Sequence, residues 1–285
     1  MSPEELERRR HVVGASEAGL LFGLPSFGGR TVSDLWFAKK YGTTQSKGNE
    51  ATALGLQLEP VILDAAEKQL GVKIVDRQKW ITLGCNGATL DGRVENDGPV
   101  VEAKTSGIVG PSQLSAWGDA MTDDVPENYL VQCQAQLLVT GAELAYLAAL
   151  IGGRGFAMFT IRPHAELMAA IQSKSAEFVE SLAGDTPPAE PPQLDTLKRL
   201  RRQPNKILPQ CDEIDQLWEQ YEAANAAAKT TEKAKETIQR QILAKLQDAE
   251  AIECRGGRIT YFEQSRAGHV AQPSTFRVMR FAKGK

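Results

Sequence analysis

The segment Asp185-Thr-Pro-Pro-Ala-Glu-Pro-Pro192 packs four prolines into eight residues. Proline has no N–H to donate and a fixed φ, so this run can continue neither a helix nor a central strand. It divides the chain into two regions of different character. Upstream, helical and strand patterns alternate in a mixed α/β manner. Thr31–Tyr41, Thr52–Leu70 and Asn128–Thr140 read as helices, while Ile74–Leu83, Ala88–Glu95, Pro99–Thr105, Ala145–Leu150 and Ala157–Arg162 read as strands. Leu167, Ile171, Phe178 and Leu182 then recur at helical spacing, predicting an amphipathic helix that stops at Gly184. Downstream, Asp212–Asp248 carries Ile214, Leu217, Tyr221, Ala224 and Ala228 near heptad spacing, but Lys235 and Lys245 fall on the same seam. That pattern predicts a long packed helix or helical hairpin rather than a parallel coiled coil. Gly256-Gly257, between Ala251–Arg255 and Arg258–Glu263, predicts a β-hairpin. The expected organisation is a domain over residues 1–186, a linker at 187–192 and a helical and β-hairpin extension over 193–285.

With 285 residues and 42% apolar composition the chain can bury a sizeable core, which excludes wholesale disorder. Its 33 Lys+Arg against 36 Asp+Glu give a net charge of −3, which excludes a polybasic protein. Nucleic acid stays open as a partner, because net charge averages over faces of different sign. Basic residues cluster at Arg8–Arg10, again at Lys198, Arg199, Arg201, Arg202 and Lys206, and from Arg255 to Lys285. Each cluster fits either a solvated face or a set of phosphate contacts. Cys85, Cys133, Cys211 and Cys254 lie more than forty residues apart, which fits neither a disulfide framework nor a zinc or iron–sulfur spacing. Thiols of that kind belong to a reducing compartment, so a cytoplasmic location is expected. The apolar stretch Val12–Phe22 is preceded by Glu4, Glu5 and Glu7 and interrupted by Glu17, the wrong charge pattern for a signal peptide. No run reaches the roughly 18–20 apolar residues that span a bilayer, so no membrane association is expected.

The stretch that carries chemistry is Ala88-Thr-Leu-Asp91-Gly-Arg-Val-Glu-Asn-Asp-Gly-Pro-Val-Val-Glu102-Ala-Lys104-Thr. Strand alternation puts Glu102 and Lys104 on one face, with Val101 and Ala103 on the other. Asn96-Asp97-Gly98 is a turn signal that folds the two strands together. With Asn96–Pro99 as the loop, Glu95 pairs with Val100 and Asp91 falls opposite Lys104. Asp91 and Glu102 then converge on a point that one divalent ion can occupy, with Lys104 beside it. Hard oxygen ligands suit Mg²⁺, which activates water and offsets charge on a scissile phosphate. A lysine at that point can orient the water. Taken alone, the same three residues also fit a solvated surface hairpin.

Four blocks extend the pattern: Val13-Gly-Ala-Ser16-Glu-Ala, Gly55-Leu-Gln-Leu-Glu59-Pro, the Asp91…Glu102-Ala-Lys104 hairpin, and Tyr129-Leu-Val-Gln132-Cys-Gln134. In this order they resemble the PD-(D/E)XK nucleases, specifically the lambda-exonuclease-like, YqaJ-type phage recombination exonucleases, over about residues 9–183. Leu90 stands where the nominal motif has proline.

The resemblance implies a restriction-endonuclease-like α/β core. Asp91, Glu102 and the Ala103 backbone carbonyl would be ligands of Mg²⁺, with Mn²⁺ as a substitute, and Glu59 would support the site. Lys104 and Gln132 would position the attacking water. Ser16 and Arg9, with Arg10 as the competing candidate, would bind a 5′-phosphate. It further implies 5′→3′ resection of double-stranded DNA ends, a single-strand-annealing partner protein and a homotrimeric ring. Other readings stay open: an endonuclease or helicase-associated nuclease on the same fold, or a non-catalytic DNA-binding protein. Residue by residue, Ser16 equally suits a helix N-cap, Glu59 the start of a helix whose first residue is Pro60, and Gln132 an ordinary buried amide.

Overall fold

The computed structural model of the chain describes residues 7–43, 50–107, 116–184, 186–201, 203–255 and 257–261. These fall into two compact units, one reaching Arg202 and one beginning at Gln203. In the first unit the strands are β1 (Val13–Gly14), β2 (Ile74–Val75), β3 (Lys79–Leu83), β4 (Asn86–Leu90), β5 (Gly92–Val94), β6 (Val100–Ser106), β7 (Ala145–Ile151) and β8 (Gly155–Ile161). The helices are α1 (Ala15–Ala18), α2 (Val32–Tyr41), α3 (Glu50–Leu70), α4 (Glu127–Thr140), α5 (Ala165–Ser181) and α6 (Leu194–Arg199).

The main sheet has the order β2-β5-β6-β7-β8, with β6 and β7 parallel and the other pairs antiparallel. Its strands alternate. Val100, Leu147, Ala149, Phe159 and Ile161 pack with Val131, Ala135 and Leu137 of α4 and Ile171 of α5. Val101, Ala148 and Met158 point the other way, onto Ile62, Leu63 and Ala66 of α3. The sheet is therefore covered on both faces, each fully buried Leu or Ile contributing about 1.5–3 kcal/mol. A second sheet, β1-β4-β3, adjoins the first through the chain itself.

Two expected strands each prove to be two. Ile74–Leu83 breaks where Asp76 and Gln78 take φ of 54° and 60°, left-handed values that end a β-ladder. Ala88–Glu95 breaks at Asp91. The chain crosses between the two sheets at both places, and the Gln78 N–H donates to the Leu90 carbonyl at 2.8 Å. The hairpin register also differs from the expected one. Gly92 pairs with Val101 and Arg93 with Val100, so Asp91 falls opposite Glu102 rather than Lys104. The loop is Glu95–Gly98, one residue early, because the Val94 N–H donates to the Pro99 carbonyl at 2.8 Å. The Arg93 guanidinium then closes the loop, donating to the carbonyls of Gly98 at 2.9 Å and Asp97 at 2.7 Å. Helix α3 runs through Pro60 instead of starting there. The carbonyl of Leu56 thereby loses its intrahelical donor, at an exposed position where water can replace it.

The second unit holds α7 (Asp212–Leu246), a single unbroken helix rather than a helical hairpin, and a hairpin of β9 (Ala251–Cys254) and β10 (Gly257–Thr260). Asp212, Glu213 and Asp215 in the first turn of α7 and Lys245 in its last complement the helix dipole. The basic residues from Arg266 onward lie outside the described residues. Among the described residues no helix is long and apolar enough to cross a membrane.

Candidate active site

Asp91 sits where β4 hands over to β5, at the edge of a cleft of about 940 Å³. Its neighbour must be glycine, since a Cβ on Gly92 would lie 2.2 Å from Ile74 Cγ2. Asp91 Oδ2 accepts from the Ala103 N–H at 2.9 Å, which ties the crossing point to β6. Glu102, next along that strand, is only 2% exposed. Its Oε1 accepts from Lys104 Nζ and from Gln132 Nε2, the latter at 2.5 Å, and its Oε2 accepts from Gln136 Nε2. Lys104 Nζ also lies 5.4 Å from the centre of the Tyr129 ring. Gln132, Gln136 and Tyr129 all come from α4, three or four residues apart on one helical face.

Burial and the adjacent Glu102 charge push the Asp91 carboxyl up to about 8. Burial works against the Lys104 ammonium, but the charges of Glu102 and Asp91 outweigh it and hold its pKa above the ordinary lysine range. The cluster therefore carries more acid than its one ammonium balances, and the acids offer hard oxygen donors. A divalent ion such as Mg²⁺, which is commonly held by one or two carboxylates and keeps several waters, fits that donor set. Among the described residues no group of three His, Cys, Asp or Glu side chains stands close enough to form a full cage. Glu59 lines the same cleft, but its Oε1 accepts from Gln78 Nε2 at 2.7 Å. Ala103 lines the cleft as well.

Arg9 and Ser16 line the same cleft. Arg9 donates to Thr89 Oγ1 and stacks 4.4 Å from the Trp80 ring centre. Gly87 makes room for that ring, since a Cβ there would lie 2.6 Å from Trp80 Cη2. Lys39, nearly buried, donates to the Arg9 carbonyl at 2.8 Å and pairs with Glu17 at 2.6 Å. Glu17 also accepts from the Gly14 N–H at 2.9 Å, so Gly14 begins α1 and Ser16 lies inside that turn, exposed. Arg10 turns away, donating to the Lys39 and Lys40 carbonyls at the end of α2.

The structure thus gathers Asp91, Glu102, Lys104 and Gln132 in one cluster. Arg9, Ser16 and Glu59 lie along the same cleft, and Arg10 is directed elsewhere. Sequence reasoning did not single out Gln136, Lys39, Trp80 or Thr89. Only Gln136 had a signal, one turn beyond Gln132. Gln134 serves the fold instead of the cleft. Its amide donates to the Arg162 carbonyl at 2.7 Å and accepts from the His164 N–H at 2.9 Å, tying α4 to the connection between β8 and α5.

A mixed sheet covered on both faces, with an aspartate at a strand crossing and Glu-x-Lys on the adjoining strand, has the layout that the resemblance to PD-(D/E)XK nucleases implies. Residues 6–143 match the YqaJ-like viral recombinase domain, a stretch that contains the cleft residues just described, and this match supports a nuclease. Among solved structures the chain is similar to an alkaline exonuclease, LHK-Exo, from Laribacter hongkongensis, at 19% identity over 64% of this chain and 93% of that one, with a TM-score of 0.49. It is also similar to a phage related exonuclease from Haemophilus somnus 129PT, at 15% identity over 60% of this chain and 95% of that one, with a TM-score of 0.47. A search of curated protein sequences finds no match.

Proposed function

We propose that the protein is a Mg²⁺-dependent exonuclease that resects one strand of linear double-stranded DNA in the 5′→3′ direction. It leaves 3′ single-stranded overhangs for a single-strand-annealing partner. The observation that carries this reading is the convergence of Asp91, Glu102 and Lys104, with an aspartic acid whose pKa is raised by burial and by a second acid.

Asp91 and Glu102 would hold the ion, with the Ala103 carbonyl and Glu59 in support, and Mn²⁺ would substitute. The ion supplies an acidified water and charge neutralisation at the phosphate. Lys104, anchored by Glu102 and the Tyr129 ring, orients the attacking water, and Gln132 holds Glu102 beside it. Arg9, preset by Thr89 and Trp80, and the exposed Ser16 hydroxyl would receive a 5′-phosphate. A homotrimeric ring around duplex DNA goes with this reading.

The test is digestion of a 5′-phosphorylated linear duplex beside a closed circle, in Mg²⁺, by wild type and Lys104→Ala. The expected result is an intact circle, loss of one strand from its 5′ end, and a rate at least about 10²-fold lower in the variant. Equal cutting of the circle would replace this reading with an endonuclease. DNA binding without cleavage by either protein would leave a binding protein.

A further inference from the structure

We infer that Gln136 is a positioning residue that locks the plane of the Glu102 carboxylate for metal binding. This rests on the nuclease reading above and adds a residue to it.

The terminal torsion of a glutamate is broad and roughly two-fold, so hydrogen bonds to one oxygen leave the carboxylate free to swing. Lys104 and Gln132 both donate to Oε1. Gln136 alone among the described residues donates to Oε2. With both oxygens held, the direction of the remaining lone pairs is set before an ion arrives. The spacing makes this natural, since Gln132 and Gln136 lie four residues apart on α4 and reach the same carboxylate.

The orientation of the Gln136 amide is dictated by chemistry. Its NH₂ must face the carboxylate, because its oxygen would meet another acceptor. That choice leaves Gln136 Oε1 buried with no hydrogen-bond partner among the described residues, in a side chain that is 0% exposed. An unsatisfied buried amide oxygen costs stability. If α4 needed only to fill this space, leucine or methionine would do so without that cost. The glutamine is explained by the one thing it gives, a donor to the second oxygen of Glu102.

The experiment is titration of Mn²⁺ into DNA-free protein, followed by electron paramagnetic resonance of the free ion, together with thermal melting. The proteins are wild type, Gln136→Met and Gln136→Leu, two apolar shapes so that one misfolded variant does not end the test. The expected result is Mn²⁺ affinity about tenfold or more weaker in the variants, the loss typical of an outer partner of a metal ligand. Melting without metal should fall modestly, because losing the donor to the buried Glu102 Oε2 outweighs removing the unpaired amide oxygen. The Mg²⁺ concentration for half-maximal digestion should rise by a larger factor than the saturated rate falls. Variants that bind Mn²⁺ as wild type does would overturn the inference. So would a saturated rate that falls as far as the Mg²⁺ requirement rises, since that marks a packing residue. Absence of Mn²⁺ binding in wild type would instead remove the metal reading on which the inference stands.

Discussion

Asp91 is held by one backbone N–H between a buried glutamate and the cleft, and its ordinary pKa of 3.8 is raised to about 8 by burial first and by Glu102 second. Without a divalent ion, the folded chain therefore keeps a proton there that the unfolded chain has released. The associated stability is present below pH 3.8 and is lost as pH rises towards about 8. Asp91→Asn removes the titration and keeps an oxygen for the Ala103 N–H. In metal-free buffer it should be more stable than wild type at pH 8, with most of the difference gone near pH 4. Denaturant melts at the two pH values check this, and a constant difference would show that Asp91 does not titrate in that range. Much of this cluster was legible in the sequence, because Asp91, Glu102 and Lys104 share one hairpin and strand alternation puts the last two on one face. Arg9 and its holders were not equally legible. Arg9 and Thr89 are 80 residues apart, and nothing local to Lys39, Trp80 or Thr89 marks them as neighbours of Arg9.

At the scale of elements, the hairpin shows why a turn signal locates a loop more reliably than it sets a register. Asn96-Asp97-Gly98 does turn the chain, with Asn96 and Asp97 both at positive φ. The register follows from which carbonyl takes the Val94 N–H and from Arg93, whose side chain is 11% exposed and donates to two loop carbonyls. A slip of two residues preserves every face, so the alternation that placed Glu102 and Lys104 could not detect it. Arg93→Ala should cost about 2 kcal/mol, because it strips donors from partly buried carbonyls. Arg77→Ala, which removes a more exposed pair with Asp64, should cost less than about 1 kcal/mol. Urea unfolding of both variants makes the comparison, and equal losses would mean that Arg93 acts only through its ion pair with the exposed Asp97.

At the scale of the whole molecule, the proline run marks irregular backbone but not the place where contacts stop. Prolines need no strand partner, so they can lie along a surface while the chain beyond them packs. Here the first unit continues to Arg202. The Ser33 hydroxyl donates to the Glu190 carbonyl, Leu200 bridges to Thr43, and the Arg201 N–H donates to the Gly42 carbonyl at 3.0 Å. The clasp is Asp34 in α2, fully buried, which accepts from the Gln193 N–H at 2.8 Å and from the Thr31 N–H at 2.8 Å. Burial alone would raise its pKa, but hydrogen bonds from Thr31, Thr196 and Gln193 hold it below the ordinary 3.8. This is the opposite sign to Asp91: its contribution is present above pH 3.8 and is lost as pH falls through the lower folded value. Asp34→Ala should cost roughly 3 kcal/mol, since it leaves buried donors unpaired on both sides of the contact. Limited proteolysis at neutral pH should then cut wild type slowly between residues 186 and 201 and the variant quickly. Equally slow cutting in a variant that melts lower would confine the role of Asp34 to capping α2, and the prolines would then be a linker after all.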